Sequence, residues 1–167
     1  MSGMEIERKF LVKGSAYRHE ARSSSHILQG YICSERGRTV RVRLRDDEAY
    51  LTIKGPSMDG GLSRYEFEKA ITRDEAEHLL AICEPGMIDK TRFLVDCGAH
   101  TFEVDEFHGD NDGLVMAEVE LGAPDEPYER PHFLGQEVTG DRRYYNSHLR
   151  KHPYKQWSDK QEKEDMP

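Results

Sequence analysis

Charged side chains recur at every second position along much of this sequence, and their signs are sorted. Clustered carboxylates offer the hard oxygen ligands that Mg²⁺ or Mn²⁺ prefers, whereas arginine and lysine bind phosphate oxygens. Together these residue types predict metal-assisted chemistry on a polyphosphate. The acidic pairs are Glu5 and Glu7, Glu66 and Glu68, Glu103 and Asp105, and Glu118 and Glu120; the basic residues are Lys9, Arg41, Arg43, Arg45, Lys54, Lys90 and Arg92.

The alternation of these charges with aliphatic residues predicts β-strands. A period of two places the charged side chains on one face of a strand and the aliphatic ones on the other. In residues 38–45, for example, three arginines alternate with Val40, Val42 and Leu44. We predict strands over residues 4–12, 27–33, 38–45, 50–54, 63–71, 87–97, 101–107 and 114–121.

Two arrangements explain the charged faces. In an open sheet they face solvent and form ion pairs that contribute little to stability. However, like charges two positions apart on one face are roughly 7 Å apart, so they need a partner of opposite sign or a bound ion. Strands with a continuous polar face also close into a barrel with a polar interior. We favour a mainly β (α+β) fold, a closed antiparallel barrel of about eight strands with peripheral helices.

Other segments depart from the period of two. Residues 72–83 carry apolar residues at helical spacing, with Thr72 as N-cap and Glu75 completing a capping box. Residues 15–22 predict a short helix, and Asp141 is placed to cap a helix over residues 142–151. Pro131 is placed to open one helical turn that ends at Gly135. Residues 1–154 are predicted to form a single domain, followed by a polar, disordered tail over residues 155–167.

Composition limits the partners of the chain. The 167 residues carry a net charge of −8, so the surface as a whole should repel nucleic acid and anionic membranes. No apolar run approaches the roughly 20 residues of a membrane helix, and the N-terminus lacks the features of a signal peptide. Three cysteines without metal-ligand spacing indicate reduced thiols, so we expect a cytoplasmic protein. They are Cys33, Cys83 and Cys97.

A barrel with a polar interior turns its aliphatic residues outward. The few predicted helices leave part of this outer face uncovered, and a subunit interface would bury it. We therefore expect a homodimer. The outward residues on which this expectation rests include Val40, Val42, Val119 and Leu121.

The ordered motifs resemble those of a known family. Residues 5–9, with the sequence EIERK, resemble the ExExK signature of the CYTH family, whose members are also called triphosphate tunnel metalloenzymes. The similarity continues over residues 4–150 and is closest to the short bacterial members. Its further motifs are QGY at 29–31, VRVR at 40–43, LTIKG at 51–55, YEFE at 65–68, EVDEF at 103–107, AEVEL at 117–121 and EVT at 137–139.

The resemblance implies a role for each candidate residue. Tyr31 matches a tyrosine that faces the tunnel and could serve in proton transfer, and it is the expected catalytic residue together with Lys90. Glu66, Glu68 and Glu103 match other acidic tunnel positions. The expected phosphate ligands are Lys9, Arg41, Arg43, Lys54, Lys90 and Arg92. The expected ligands of Mg²⁺ or Mn²⁺ are Glu5, Glu7, Asp105, Glu118 and Glu120.

The resemblance also implies an activity on a small molecule that contains a triphosphate. We expect an inorganic triphosphatase that converts tripolyphosphate to diphosphate and phosphate, because the short chain shows no second subdomain to hold a nucleobase. The alternatives are a class IV-type adenylyl cyclase and a nucleoside or thiamine triphosphatase. A non-catalytic polyphosphate sensor would need a degraded metal site, and here both acidic pairs at the two ends of the motif series are intact.

Overall fold

A single antiparallel sheet dominates the computed structural model, which describes residues 3–157. The strand order is β5-β4-β3-β2-β6-β7-β8-β1-β9, and β1 also pairs with β5. This additional pairing closes the first eight strands into a barrel. The strands are β1 (Gly3–Val12), β2 (Ser23–Glu35), β3 (Arg38–Arg45), β4 (Glu48–Lys54), β5 (Ser63–Ile71), β6 (Ile88–Cys97), β7 (His100–Phe107), β8 (Val115–Leu121) and β9 (Leu134–Glu137).

Strand β1 has a different partner on each side. Its first half pairs with β5, with Glu5 opposite Arg64, and its second half pairs with β8, with Glu7 opposite Glu120. Paired residues on neighbouring strands point to the same face of a sheet. Closure therefore directs all the sorted charges into one interior, which confirms the predicted closed antiparallel barrel.

Helices cover little of the barrel. They are α1 (Tyr17–Glu20), α2 (Arg73–Leu80) and α3 (Asn146–Leu149). The predicted capping box of α2 is present: the Thr72 hydroxyl accepts from the Glu75 amide at 3.0 Å, and the Glu75 carboxylate accepts from the Thr72 amide at 2.8 Å. Within residues 3–157, no helix has the length and apolar character needed to cross a bilayer.

The C-terminal third differs from the prediction. The helical turn expected over residues 131–135 is wrong: a turn leads into β9, which adds to β1 beyond a register shift. The helix expected over residues 142–151 is broken into a 3₁₀ turn, Arg142–Tyr144, and α3, because Tyr145 between them has extended backbone angles. Trp157, predicted to lie in the disordered tail, is buried because its ring packs on Tyr144 and Tyr154. Residues 158–167 of that tail lie outside the described residues.

Two apolar clusters cover the outer face of the barrel. One joins β1, β6, β7 and β8 to Tyr17, Phe133 and Leu134, which lie on the segments that follow β1 and β8. The other packs Ala76 of α2 against Val42, Leu44 and Ala49. Burial on the outer face fixes which side chains of each strand point outward, since a shift by one residue would turn the apolar strand residues to the opposite face.

A third apolar cluster closes one end of the barrel. At this end the inward-facing residues of three strands change from charged to apolar. Leu11 follows Lys9 on β1, Ile88 precedes Lys90 on β6, and Met116 precedes Glu118 on β8. These side chains pack with Tyr144, Leu149 and Trp157 of the C-terminal segment. We call this the closed end.

Three of the four residues on which the homodimer expectation rests do not provide an interface. Val42, Val119 and Leu121 point outward, but the chain itself buries them to 5% exposure or less. Val40 is only partly buried and lies opposite Ile53, next to an exposed outer patch in which Met4 lies opposite Tyr65 and Ile53 lies opposite Phe67. The homodimer stays a prediction.

Replacing Thr72 by alanine should destabilise the fold by about 1 kcal/mol, because the first turn of α2 loses its capping oxygen. The free energy of unfolding in urea measures this loss. Thr72→Ser keeps the hydroxyl and is the matched control, so it should remain close to wild type. Equal midpoints for Thr72→Ala and wild type would show that the cap contributes nothing.

Candidate active site

The barrel encloses a cavity of about 190 Å³, here called the central cavity. Every candidate residue from the sequence lines it except Asp105. The lining consists of Glu5, Glu7, Lys9, Tyr31, Thr39, Arg41, Arg43, Arg45, Lys54, Arg64, Glu66, Glu68, Lys90, Arg92, Glu103, Glu118, Glu120, Asn146 and Ser147.

Four glutamates from β1 and β8 form an acidic wall. Glu7 lies opposite Glu120 across the two strands, and Glu118 lies opposite Lys9. Burial, together with the charges of Glu118 and Glu5, raises the pKa of Glu7 to about 8. Burial and the charges of Glu5 and Glu103 also raise the pKa of Glu120. This wall therefore holds more negative charge than its surroundings neutralise.

Glu118 is the exception within the acidic wall. Burial disfavours its charged form, but the positive charges of Lys9, Arg92 and Lys90 outweigh this effect and lower its pKa to about 2. The Lys9 ammonium lies 3.3 Å from its carboxylate, and the Arg92 guanidinium lies 3.7 Å away. Glu118 therefore links the acidic wall to the basic residues.

Lys54 links a second group of acids. Its ammonium lies 2.9 Å from Glu5 and 3.7 Å from Glu66, while Arg64 lies 3.8 Å from Glu5 on the other side. Burial opposes the ionisation of Glu5, but these two cations outweigh it and lower its pKa. Glu5 is thus ionised and held between two strands.

Asp105 occupies the deepest layer, next to the closed end. Its carboxylate accepts two hydrogen bonds from the Arg92 guanidinium, at 2.8 and 2.9 Å, and lies 2.8 Å from the Lys90 ammonium. Burial opposes its ionisation, but Arg92 and Lys90 outweigh that effect and hold the pKa of Asp105 far below its usual range. Both oxygens of Asp105 are paired with Arg92 and Lys90. Asp105 therefore positions these two side chains toward the cavity.

Lys90 is almost fully buried, with 1% of the residue exposed. Burial lowers its pKa to about 7; the charge of Asp105 opposes this effect, and repulsion from Arg92 and Arg43 adds to it. Its ammonium also donates a hydrogen bond to Asn146 at 2.8 Å. A lysine with a pKa near neutrality can donate or accept a proton under ordinary conditions.

Six of the basic residues that line the central cavity are here called the basic wall: Lys9, Arg41, Arg43, Lys54, Lys90 and Arg92. Gln29 connects one of them, Arg43, to Tyr31 and Asn146. Its amide oxygen accepts from Arg43 at 2.9 Å, and its amide nitrogen donates to the Tyr31 hydroxyl at 3.2 Å and to Asn146 at 3.3 Å. Burial and the charges of Arg41 and Arg92 lower the pKa of Arg43 to about 9, which still leaves it charged at neutral pH. One buried amide thus orients an arginine and a tyrosine.

Comparison with known proteins identifies the family of this chain. The CYTH domain matches residues 3–148 of the chain. This chain belongs to the CYTH family. It is 45% identical over 158 residues to the inorganic triphosphatase of Acetivibrio thermocellus, with 94% of this chain and 99% of that protein covered. It is 35% identical over 152 residues to the inorganic triphosphatase of Nitrosomonas europaea, with 87% and 95% covered.

A crystal structure shows the same barrel. That of an inorganic triphosphatase superposes with a TM-score of 0.62 at 30% sequence identity, with 87% of this chain and 93% of that chain covered. Fold and family membership, as predicted from the motif series, are therefore confirmed.

The acidic wall of this CYTH barrel fits a divalent cation in its chemistry. Glu7 and Glu120 have raised pKa values, since like charges surround them, and a bound cation would relieve this repulsion. Within residues 3–157, however, no three acidic, histidine or cysteine side chains already converge as a ligand set. Binding would therefore require the glutamate side chains to change rotamer.

Sequence reasoning missed three residues of the site. Gln29 and Asn146 are neutral, so the sorting of charges does not reveal them. Arg64 lies two positions before Glu66 on the strand predicted over residues 63–71, but it is not among the candidate residues. Its register opposite Glu5 on β1 shows its place. Only the closure of the barrel, which pairs the first strand with the fifth, brings Arg64 into the cavity.

Without metal, the contribution of Glu7 to the stability of the chain should fall as pH rises between the ordinary glutamate pKa of 4.5 and the raised value of about 8. In this window the folded chain keeps a proton on Glu7 that the unfolded chain releases, so unfolding becomes more favourable with pH. Urea unfolding in EDTA across this range measures the slope.

The Glu7→Gln variant cannot lose this proton, so its stability should depend less on pH than that of wild type. Glu77→Gln, at an exposed position on α2, is the matched control and should keep the wild-type slope. Identical slopes for Glu7→Gln and wild type would contradict the assignment of a raised pKa to Glu7.

Proposed function

We propose that this CYTH chain hydrolyses a triphosphate with the help of a divalent cation, and that its substrate is tripolyphosphate, converted to diphosphate and phosphate. One observation carries the proposal: an acidic wall and a basic wall face the same small cavity inside a closed barrel. The names of the two triphosphatase relatives support the same activity.

The basic wall supplies the phosphate contacts. Arg41 and Arg43 on β3 provide guanidinium groups that hold phosphate oxygens in pairs, while Lys9 and Lys54 provide point charges from β1 and β4. Lys90 and Arg92 lie deeper, where Asp105 fixes their positions. A triphosphate brings several negative charges and would replace the carboxylates that now pair with these cations.

The acidic wall is the proposed metal site. Glu5, Glu7, Glu118 and Glu120 would hold Mg²⁺ or Mn²⁺, both of which prefer oxygen ligands. When bound, such an ion neutralises charge on phosphate oxygens and polarises a water molecule. Asp105 would act on this site indirectly, because both its oxygens are already paired with Arg92 and Lys90.

Lys90 and Tyr31 are the proposed proton-transfer residues. The pKa of Lys90, lowered by burial to about 7, suits a group that gives a proton to the departing phosphate and recovers it from solvent. Tyr31 lines the cavity with its hydroxyl fixed by Gln29. Both residues lie beside the closed end, so the reacting phosphate would be the one held deepest.

The shape of the cavity favours an inorganic substrate. Its lining is almost entirely charged, so an organic group would gain little apolar contact there. The closed end leaves no exit for a bulky group on that side. A nucleoside or thiamine triphosphate would have to leave its organic part outside the barrel.

Orthophosphate release from tripolyphosphate, ATP and thiamine triphosphate, each with Mg²⁺, Mn²⁺ or EDTA, tests the proposal. We expect the fastest turnover with tripolyphosphate and a metal, and loss of turnover in EDTA. Preference for ATP, or formation of cyclic AMP, would favour the alternative members of the family. Binding without turnover of any of the three would favour a sensor.

Glu120→Gln should lower metal-dependent turnover by at least about a hundredfold, since loss of a direct ligand should exceed the effect of losing its outer-shell support. The melting temperature should stay the same or rise, because Glu120 has no ion pair within residues 3–157 and its removal reduces repulsion.

Glu118→Gln provides the contrast, since Glu118 neutralises Lys9 and Arg92. It should lower both turnover and melting temperature, because two buried cations lose their partner. Glu77→Gln on the surface should change neither quantity. Wild-type turnover of Glu120→Gln at saturating Mg²⁺ and Mn²⁺ would exclude Glu120 as a metal ligand.

A further inference from the structure

A second cavity, which we call the vestibule, adjoins the central cavity and has no role in the proposed hydrolysis. Its volume is about 310 Å³, at the lower end of the range for small-molecule sites. Three parts of the fold form it: the turn between β2 and β3, the residues that follow β4, and the C-terminal segment of residues 142–151.

The walls of the vestibule are basic. Arg36 lies in the β2–β3 turn, Arg38 begins β3, Arg64 lies on β5, and Arg142 and Lys151 lie on the C-terminal segment. The one carboxylate in this lining is that of Glu35, which pairs with Arg38 at 2.6 Å. Positive charge therefore exceeds negative charge in a chain whose overall net charge is −8.

Three of these cations lack a partner. The side chains of Arg36, Arg142 and Lys151 form no hydrogen bond, ion pair or ring contact with any residue in the part of the chain that the structure describes. They lie far apart in sequence, and only the fold brings them to one space. Like charges gathered in this way favour an anion, which would replace their mutual repulsion by attraction.

His148 in the same wall responds to this charge. Burial lowers its pKa, and the neighbouring His152, Lys151 and Arg142 lower it further, whereas Asp141 opposes them. A neutral imidazole retains one N–H donor. The wall therefore offers a hydrogen bond as well as charge.

The vestibule and the central cavity share part of their lining. Thr39, Arg64 and Ser147 border both. Arg64 is fixed between them, since it lies 3.8 Å from Glu5 and 5.4 Å from the centre of the Tyr145 ring. The two spaces thus adjoin at these shared residues, and Tyr145 lines the vestibule beside Arg64.

We propose that the vestibule is a second binding site, separate from the central cavity, for a free phosphate-type oxyanion such as orthophosphate or diphosphate. Guanidinium groups match the oxygens of a tetrahedral anion in pairs, and Ser57 and Ser147 add hydroxyl donors at the rim. Several cations without partners select a multiply charged anion over a monocarboxylate. The site goes beyond the proposed hydrolysis, because binding there requires no turnover.

Titration of the ¹⁵N-labelled full chain with sodium diphosphate in EDTA tests this site. The backbone amides of Gly37, Gly55 and Ser57 line the vestibule but not the central cavity, so they report on it separately. We expect their signals to shift and saturate. In the Arg142→Gln/Lys151→Gln double variant, the same shifts should need at least about tenfold more diphosphate, since two charge-assisted contacts are lost.

The Lys13→Gln/Lys69→Gln double variant removes the same charge from exposed positions outside both cavities, and it should titrate as wild type does. Orthophosphate in place of diphosphate shows whether one phosphate group suffices. No saturating shift at the three amides, or wild-type affinity in the Arg142→Gln/Lys151→Gln variant, would overturn the proposal. Equal weakening in both double variants would also overturn it, since it would show a general effect of net charge. Phosphate release is measured separately, so failure of the proposed hydrolysis would leave this result interpretable.

Discussion

The pairing of β1 with both β5 and β8 is the constraint on which the rest of the structure depends. An open sheet of these strands would place its charged face in solvent, where the ion pairs would be weak. Closure through β1 converts this face into an interior. It also brings Glu5 and Glu7, at the start of the chain, beside Glu118 and Glu120, more than a hundred residues later.

The interior is close to electrical balance. Eight lysine and arginine side chains line the central cavity with seven glutamates, and Asp105 behind Arg92 brings the carboxylates to eight. The net charge of −8 therefore comes from residues other than these sixteen. Balance on the whole does not mean balance everywhere: Glu118 and Asp105 are fully compensated by cations, whereas Glu7 and Glu120 repel their neighbours. The uncompensated glutamates lie where a cation would be most stabilising.

The apolar parts of the fold hold this charged interior together. Burying ions costs free energy unless each finds a partner, and the outer clusters supply the opposing stabilisation. At the closed end, Ile88, Phe107 and Met116 continue the inward faces of their strands. These apolar side chains lie below the charged layer that contains Lys90 and Arg92, and the Lys90 ammonium lies over the Phe107 ring. The apolar surroundings explain why burial is the largest influence on the pKa of Lys90.

The sequence predicts the strands and their parity well, because a period of two is a local signal. In β3, the arginines at 41 and 43 point inward as their alternation with Val42 requires. The C-terminal third carries no such period, so β9 and the extended backbone at Tyr145 were not predicted. Contacts between distant segments, such as Gln29 with Asn146, leave no local pattern at all. The family resemblance implied a metal ligand at Asp105, and only the register opposite Arg92 shows which partner occupies its carboxylate.

Anomalous diffraction would show directly whether a divalent cation and a triphosphate bind together inside the barrel. Crystals would be grown with Mn²⁺ and a tripolyphosphate analogue whose bridging nitrogens resist hydrolysis, and data would be collected near the manganese absorption edge. The account predicts a manganese peak inside the barrel, in contact with carboxylates of both β1 and β8, and a phosphate chain along Arg41, Arg43 and Lys90. Manganese bound only outside the barrel, with the analogue absent from the central cavity, would contradict it.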